Sequence, residues 1–223
     1  MTVSLQEKEF IRETFGKVVD PAVRDHILNG NVVLGGENCE ITVMFCDIRN
    51  FTAMSEKMRP EEVVSFLNLY FTRMERCITK NHGIINKYIG DAVMALFGAP
   101  VKSDSHAEDA FRAALDMKSA LAELNEESAR KNRAAVGFGI GLHSGDVLAG
   151  NIGAENRLEY TVIGDTVNTA SRIESLCKTY HTDLLLSEAT AERIRSPELS
   201  QRLHFVDEAE IRGKTDKVRL FSW

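Results

Sequence analysis

The sequence predicts an α+β domain with a ferredoxin-like split β-α-β core, an antiparallel sheet, helices on one face and extra C-terminal strands. Three observations carry this prediction. From Ile41 to Leu148 the segments run strand, helix, hairpin, helix, strand, which is the order of a split β-α-β fold. The two long helical segments each carry a single apolar stripe, so each can cover one sheet face. Three short apolar runs beyond residue 183 remain to extend the sheet. A chain of 223 residues with 43% hydrophobic residues suits one large core better than two small ones.

Residues 1 to about 30 pattern as helix, interrupted at Asp20-Pro21 and ended near Asn29-Gly30, and read as a lead-in. The run Ile41-Thr42-Val43-Met44 reads as a strand buried on both faces. Pro60 suits a first helical position, Glu61 and Glu62 favour the positive end of the helix dipole, and Val63, Phe66, Leu67, Tyr70, Met74 and Ile78 share a face. That helix ends near Asn81-His82-Gly83. Two apolar runs between Gly83 and Gly98, broken by Gly90-Asp91, signal a hairpin. A second long helix spans about Ser105 to Arg130, with Phe111, Met117, Leu121 and Leu124 on its stripe. Glycine-rich strand follows at Val136 to Leu148, and Tyr160 to Ile163 leads through Gly164-Asp165 into a helix ending near Lys178. Leu184 to Leu186, Leu203 to Val206 and Val218 to Phe221 are the closing strands. No internal repeat or low-complexity linker is visible.

The net charge of -6 gives no global basic field, so nucleic acid is not an expected partner, and an anionic substrate requires locally placed cations or metal. The four cysteines have no C-x-x-C spacing, and Cys46 and Cys77 fall in apolar-patterned segments, which reads as reduced core thiols. No apolar stretch approaches the roughly 18 residues of a membrane span, and no signal-peptide core is present. A cytoplasmic location is expected.

Asp47 sits where the first strand leaves the core. Alone it reads as a turn or N-cap aspartate. In a split β-α-β fold, however, the third strand lies beside the first and antiparallel to it, so Asp91 at its start faces Asp47 at one sheet edge. Two carboxylates meeting there repel unless a hard cation lies between them. From spacing alone the pair reads as a metal site, an acid/base dyad or two unrelated turn residues.

The segments F-C-D-I-R-N-F-T from Phe45, N-K-Y-I-G-D-A-V-M-A-L-F-G from Asn86, G-I-G-L-H-S-G-D-V-L-A-G-N-I-G from Gly139 and Y-T-V-I-G-D-T-V-N-T-A-S-R-I-E from Tyr160 together resemble the class III nucleotidyl cyclases, in that family's order. The resemblance covers about residues 37 to 223, so residues 1 to 36 are expected to be a helical connector and 37 to 223 the catalytic domain. It implies that Asp47, Asp91 and the backbone carbonyl of Ile48 hold two Mg²⁺ or Mn²⁺ ions. It further implies that the turn from Arg49 through Phe51 and Thr52 offers N–H groups to the terminal phosphates. Lys87 and Thr161 take the purine-reading positions. A purine 6-amino group needs an acceptor and ring N1 a donor, which this pair supplies for adenine. Guanylyl cyclases carry Glu where Lys87 stands. Without the motif, Lys87 reads as a solvated strand lysine.

Asn168 and Arg172 stand four apart on a helix and project from one face. The resemblance gives them the ribose and the charge growing on the α-phosphate, and gives Lys214, in I-R-G-K-T-D, the outer phosphates. The implied activity is conversion of ATP to cyclic AMP and pyrophosphate at sites shared across a homodimer. Thr161 stands where many relatives carry Asp, which is similar to the subclass of soluble adenylyl cyclases stimulated by bicarbonate. The helical lead-in resembles the connector that follows a sensor, so an upstream regulatory domain, membrane-anchored in some arrangements, is an expected partner. The rival reading is a catalytically silent nucleotide-binding dimerisation module. Other nucleotide motifs fail: Gly213-Lys214-Thr215 lacks the preceding P-loop glycine, since Glu208 stands there, and Leu142 replaces the last glycine of a dinucleotide fingerprint.

Overall fold

A computed structural model describes residues 5–29, 35–131, 133–154, 156–212 and 216–223. Two helices lead in, α1 (Leu5–Val18) and α2 (Pro21–Asn29), broken at Asp20-Pro21. Asp20 accepts the Ala22 N–H at 2.9 Å, so the break is an N-cap as well as a proline stop. Then follow β1 (Gly35–Ile48), α3 (Phe51–Ser55), α4 (Pro60–Lys80), β2 (Ile84–Ile89), β3 (Ala92–Phe97), α5 (His106–Arg130), β4 (Phe138–Ala154), β5 (Arg157–Ile163) and α6 (Asp165–Thr179). The chain closes with β6 (Leu184–Ser187), the short helices α7 (Glu188–Ala191) and α8 (Pro197–Ser200), β7 (His204–Ala209) and β8 (Val218–Ser222).

Among the described residues eight strands form one sheet in the order β2-β3-β1-β4-β6-β8-β7, with β5 paired to β4. The predicted core is present: β1 lies between β3 and β4 and is antiparallel to both. The pair β4 and β6 is parallel, because α6 carries the chain back across the sheet between β5 and β6.

Alternation along β1 divides the core. Met44, Cys46 and Ile48 face α4 and α5, packing with Tyr70, Met74, Phe111 and Met117. Ile41 and Val43 face the other side, where Val23 of α2, Met94, Tyr160 and Val162 cover them. The two long helices therefore share one face, as the sequence predicts. Helix α6 occupies the second face, over the glycines of β4: a Cβ on Gly141 would stand 2.2 Å from the Glu174 nitrogen and 2.6 Å from the Ala170 oxygen. The helix backbone lies almost on the strand, and only glycine permits it.

Strand β1 begins well before the predicted Ile41, since Gly35 already pairs with Asn151 of an equally prolonged β4. The added residues are polar and mostly exposed, and so carry no apolar signal. Cys46, Cys77 and Cys177 are buried and Cys39 half-buried, all of them free.

Candidate active site

The register settles the placement of the acidic pair. Cys46 pairs with Val93, so Asp47 leaves β1 beside the β2–β3 turn that carries Asp91. Gly90 makes that turn in the left-handed region, φ 64°. The two carboxylates are within hydrogen-bonding reach. Asp91 is pushed up to about 6, first by burial, then by its hydrogen bond to Asp47 and by the Asp47 charge. Ile48, the last residue of β1, lines the same cleft of about 530 Å³, together with Phe51, Thr52 and Glu174.

These are oxygen donors crowded by like charge, which fits a hard divalent cation. Among the described residues no group of three or more His, Cys, Asp or Glu could hold a metal ion. The carboxylates of Asp47 and Asp91 alone would leave coordination positions for substrate oxygens and water.

Behind the cleft Arg49 acts as a brace. Its Nε donates to the Phe138 carbonyl at 3.0 Å and its Nη2 to the Thr182 carbonyl. The backbone N–H of Arg49 donates to Gly137 at 2.9 Å, so the turn expected to present N–H groups from Arg49 onward begins one residue later. Asn50 adopts the left-handed conformation, and α3 starts at Phe51, whose first N–H groups have no partner within the helix. Phe51 and Thr52 are among them. Glu174 was not singled out in the sequence. It lies against Gly139 and is pushed up to about 7 by burial, then by the Asp47 charge.

The second set of residues lies elsewhere. Lys87 lines a different cleft, about 610 Å³, between α1, α2, β2 and β5. Its ammonium meets Glu159 at 2.6 Å. Thr161, two residues along β5 on the same side as Glu159, donates its hydroxyl to Asn86 Oδ1 at 3.0 Å. Asn86 Nδ2 donates to the Tyr160 carbonyl at 2.9 Å. Neither Asn86 nor Glu159 was singled out in the sequence. The signal available was proximity, since Asn86 adjoins Lys87 and Glu159 lies two from Thr161.

On α6, Asn168 is exposed and Arg172 half-buried, one helical turn apart. The Nη1 atom of Arg172 is buried with no hydrogen-bond partner among the described residues. A buried unpaired donor is costly, and one on a guanidinium especially so, which marks this atom as awaiting an acceptor. Lys214 lies outside the described residues. The fold brings Asp47, Asp91, Ile48, Phe51 and Thr52 together and leaves Lys87 in a separate cleft, with Thr161 linked to that cleft through Asn86.

The adenylate and guanylate cyclase catalytic domain matches residues 36–222. An adenylate cyclase of Anabaena cylindrica is 36% identical over 219 residues, which span 96% of this chain and 42% of that protein. This chain thus spans less than half of that relative's length. The crystal structure of the adenylyl cyclase CyaB from P. aeruginosa superposes with a TM-score of 0.76 at 28% identity, covering 84% of this chain and 95% of the other. The crystal structure of the guanylyl cyclase Cya2 does so with a TM-score of 0.75 at 35% identity, covering 84% of this chain and 93% of the other.

Proposed function

The chain belongs to the adenylate and guanylate cyclase catalytic-domain family, and from that premise we propose that it converts ATP to 3′,5′-cyclic AMP and pyrophosphate, at sites shared across a homodimer. The observation that carries the reading is the facing pair Asp47 and Asp91, with Asp91 pushed up to about 6. Uncompensated like charge at a strand edge has little structural use and is relieved by cations.

Asp47, Asp91 and the Ile48 carbonyl would hold two Mg²⁺ or Mn²⁺ ions. Bound there, such ions lower the pKa of the ribose 3′-hydroxyl and neutralise the phosphates. The first N–H groups of α3 receive the outer phosphates, and Lys214 adds a positive charge to them. Asn168 orients the ribose. Arg172 presents its unpaired Nη1 to the α-phosphate as negative charge grows there. Lys87 donates to adenine N1 and Thr161 accepts from the 6-amino group.

Two features support the shared site. Asp47 and Asp91 line one cleft of the chain and Lys87 another, so completing a site calls for a second copy in two-fold arrangement. Exposed apolar side chains flank both halves: Ile89, next to the Gly90-Asp91 turn, and Ile163, two residues from Thr161, are 51% and 53% exposed. No helix among the described residues is long and apolar enough to cross a membrane. An upstream sensor acting through α1 and α2 and stimulation by bicarbonate, resting on Thr161, belong to the same proposal. Turnover at fixed pH with bicarbonate against chloride tests the latter, and an equal rate removes it.

Incubation with ATP and Mn²⁺ followed by chromatography is the direct test. Cyclic AMP is the expected product. Its absence from a folded, dimeric preparation returns the chain to the rival reading of a silent nucleotide-binding module.

A further inference from the structure

We propose that Asn86 is a positioning residue for base selection: it fixes the Thr161 hydroxyl in the one direction that reads an amino group at purine position 6. The proposal rests on the reading of Thr161 and Lys87 as the pair that contacts the base.

The argument is one of hydrogen-bond polarity. The Tyr160 carbonyl can only accept, so the amide group 2.9 Å away must be the Asn86 NH₂. That assignment turns the Asn86 oxygen towards Thr161, 3.0 Å away. The amide oxygen can only accept in its turn, so the Thr161 hydroxyl must donate to it. A hydroxyl has one proton. With that proton committed to Asn86, Thr161 offers the rest of the site only lone pairs. It then accepts from a 6-amino group and repels a 6-oxo group. A free threonine hydroxyl would rotate and serve either, so threonine alone cannot discriminate. The chain Tyr160, Asn86, Thr161 converts an ambivalent group into an acceptor.

The strand geometry is built for this. The ladder between β2 and β3 shifts register between Ile85 and Lys87, which places a bulge at Asn86. On a regular strand, consecutive side chains point to opposite faces. Here Asn86 and Lys87 both reach β5, where Thr161 and Glu159, two apart, stand on one side. The bulge therefore delivers two adjacent side chains to one face, one to aim the acceptor and the other to be the donor.

The test compares ATP with inosine triphosphate, which carries a 6-oxo group, in the unaltered dimer and in Asn86→Leu. With its proton released, the Thr161 hydroxyl can turn to donate to the 6-oxo group, so the ratio of kcat/KM for inosine triphosphate to that for ATP should rise about tenfold in Asn86→Leu, the size of one hydrogen bond. A residue needed only for packing would change both substrates equally and leave the ratio where it was, and that outcome overturns the proposal. Asn86→Asp is the conservative counterpart: its carboxylate still accepts from Thr161, so the preference for ATP over inosine triphosphate should persist. Loss of that preference in the folded Asn86→Asp dimer also overturns the proposal, and this arm stands even where Asn86→Leu does not fold. Absence of cyclic product from the unaltered chain defeats the cyclase reading instead. Calorimetric affinities for the two nucleotides then decide the Asn86 proposal on the same ratio.

Discussion

The acidic edge and the proposed base-reading face around Lys87 and Thr161 follow opposite electrostatic plans. At the edge, Asp47 and Asp91 face each other, and Glu174, also raised, stands in the same cleft. At the face, Lys87 has Glu159 and Thr161 has Asn86, so charges and hydroxyls are matched. The first half is frustrated without cations, and the second is satisfied before any base arrives. On the proposed reading, cation binding at the edge is thereby coupled to relief of repulsion, while the face pre-orients its donors and acceptors and would lose little freedom on reading a base. Arg172 is the exception on the base-reading side, with its orphaned Nη1.

Removing a member of the acidic edge should have the largest effect. Asp47→Ala or Asp91→Ala is expected to abolish cyclic AMP formation while the dimer stays folded, and retained turnover at ordinary Mg²⁺ would contradict the assignment. Arg172→Ala should lower kcat by about 10²- to 10³-fold. The two defects sit on different halves, so mixing equal amounts of Asp47→Ala and Arg172→Ala chains sharpens the comparison. Half of the dimers then carry one intact site of two, and about a quarter of full activity should return. No recovery despite demonstrated subunit exchange means that each chain builds its own site.

The structural seam between the halves is the contact of α6 with β4. A methyl at Gly141 would meet helix backbone, which cannot rotate aside as a side chain can. Gly141→Ala should cost about 1–3 kcal/mol, read as about 2–4 °C of Tm per kcal/mol for a chain of this size. Because α6 carries Asn168 and Arg172, turnover should fall with it even below the melting range. Unchanged stability and rate would show that α6 is free to move away from the strand.

The order of elements was legible because apolar periodicity is a local signal: the long helices, the hairpin and the break at Asp20-Pro21 all stand close to their predicted bounds. The meeting of Asp47 and Asp91 was legible too, since topology dictates which strand ends adjoin. What the sequence did not disclose depends on contacts between distant residues. The polar extensions of β1 and β4 form because they pair with each other, and neither has a pattern of its own. Asn86 acquires its role from a bulge and from the Tyr160 carbonyl, 74 residues away. Glu174 meets the cleft because glycines let α6 lie close to β4. Arg49, counted as the start of the phosphate-facing turn, spends its N–H on Gly137.

The smallest effect tests the frustration itself. In the metal-free protein the folded state holds Asp91 at about 6 against an ordinary 3.8, so folding favours its protonated form. The folded state therefore binds more protons than the unfolded state between those values, and stability falls as pH rises through that window. Above it the deficit is complete; below 3.8 both states are protonated and it vanishes. His106, held low by burial, works in the opposite direction below its ordinary 6.5, and Glu174, pushed up to about 7, works in the same direction, so the total pH profile of the chain does not isolate Asp91. A difference between variants does. Asp91→Asn removes the like charge and keeps an amide that can donate to Asp47. In chelator it should melt a few degrees above the unaltered chain at pH 7.5, although it is inactive. The gap should close towards pH 5, where the unaltered Asp91 takes up its proton. Mn²⁺ at pH 7.5 should raise the Tm of the unaltered chain more than that of Asp91→Asn. A gap of equal size at both pH values would place the benefit of Asn in packing and leave the acidic edge without the repulsion that sets it apart from the base-reading face.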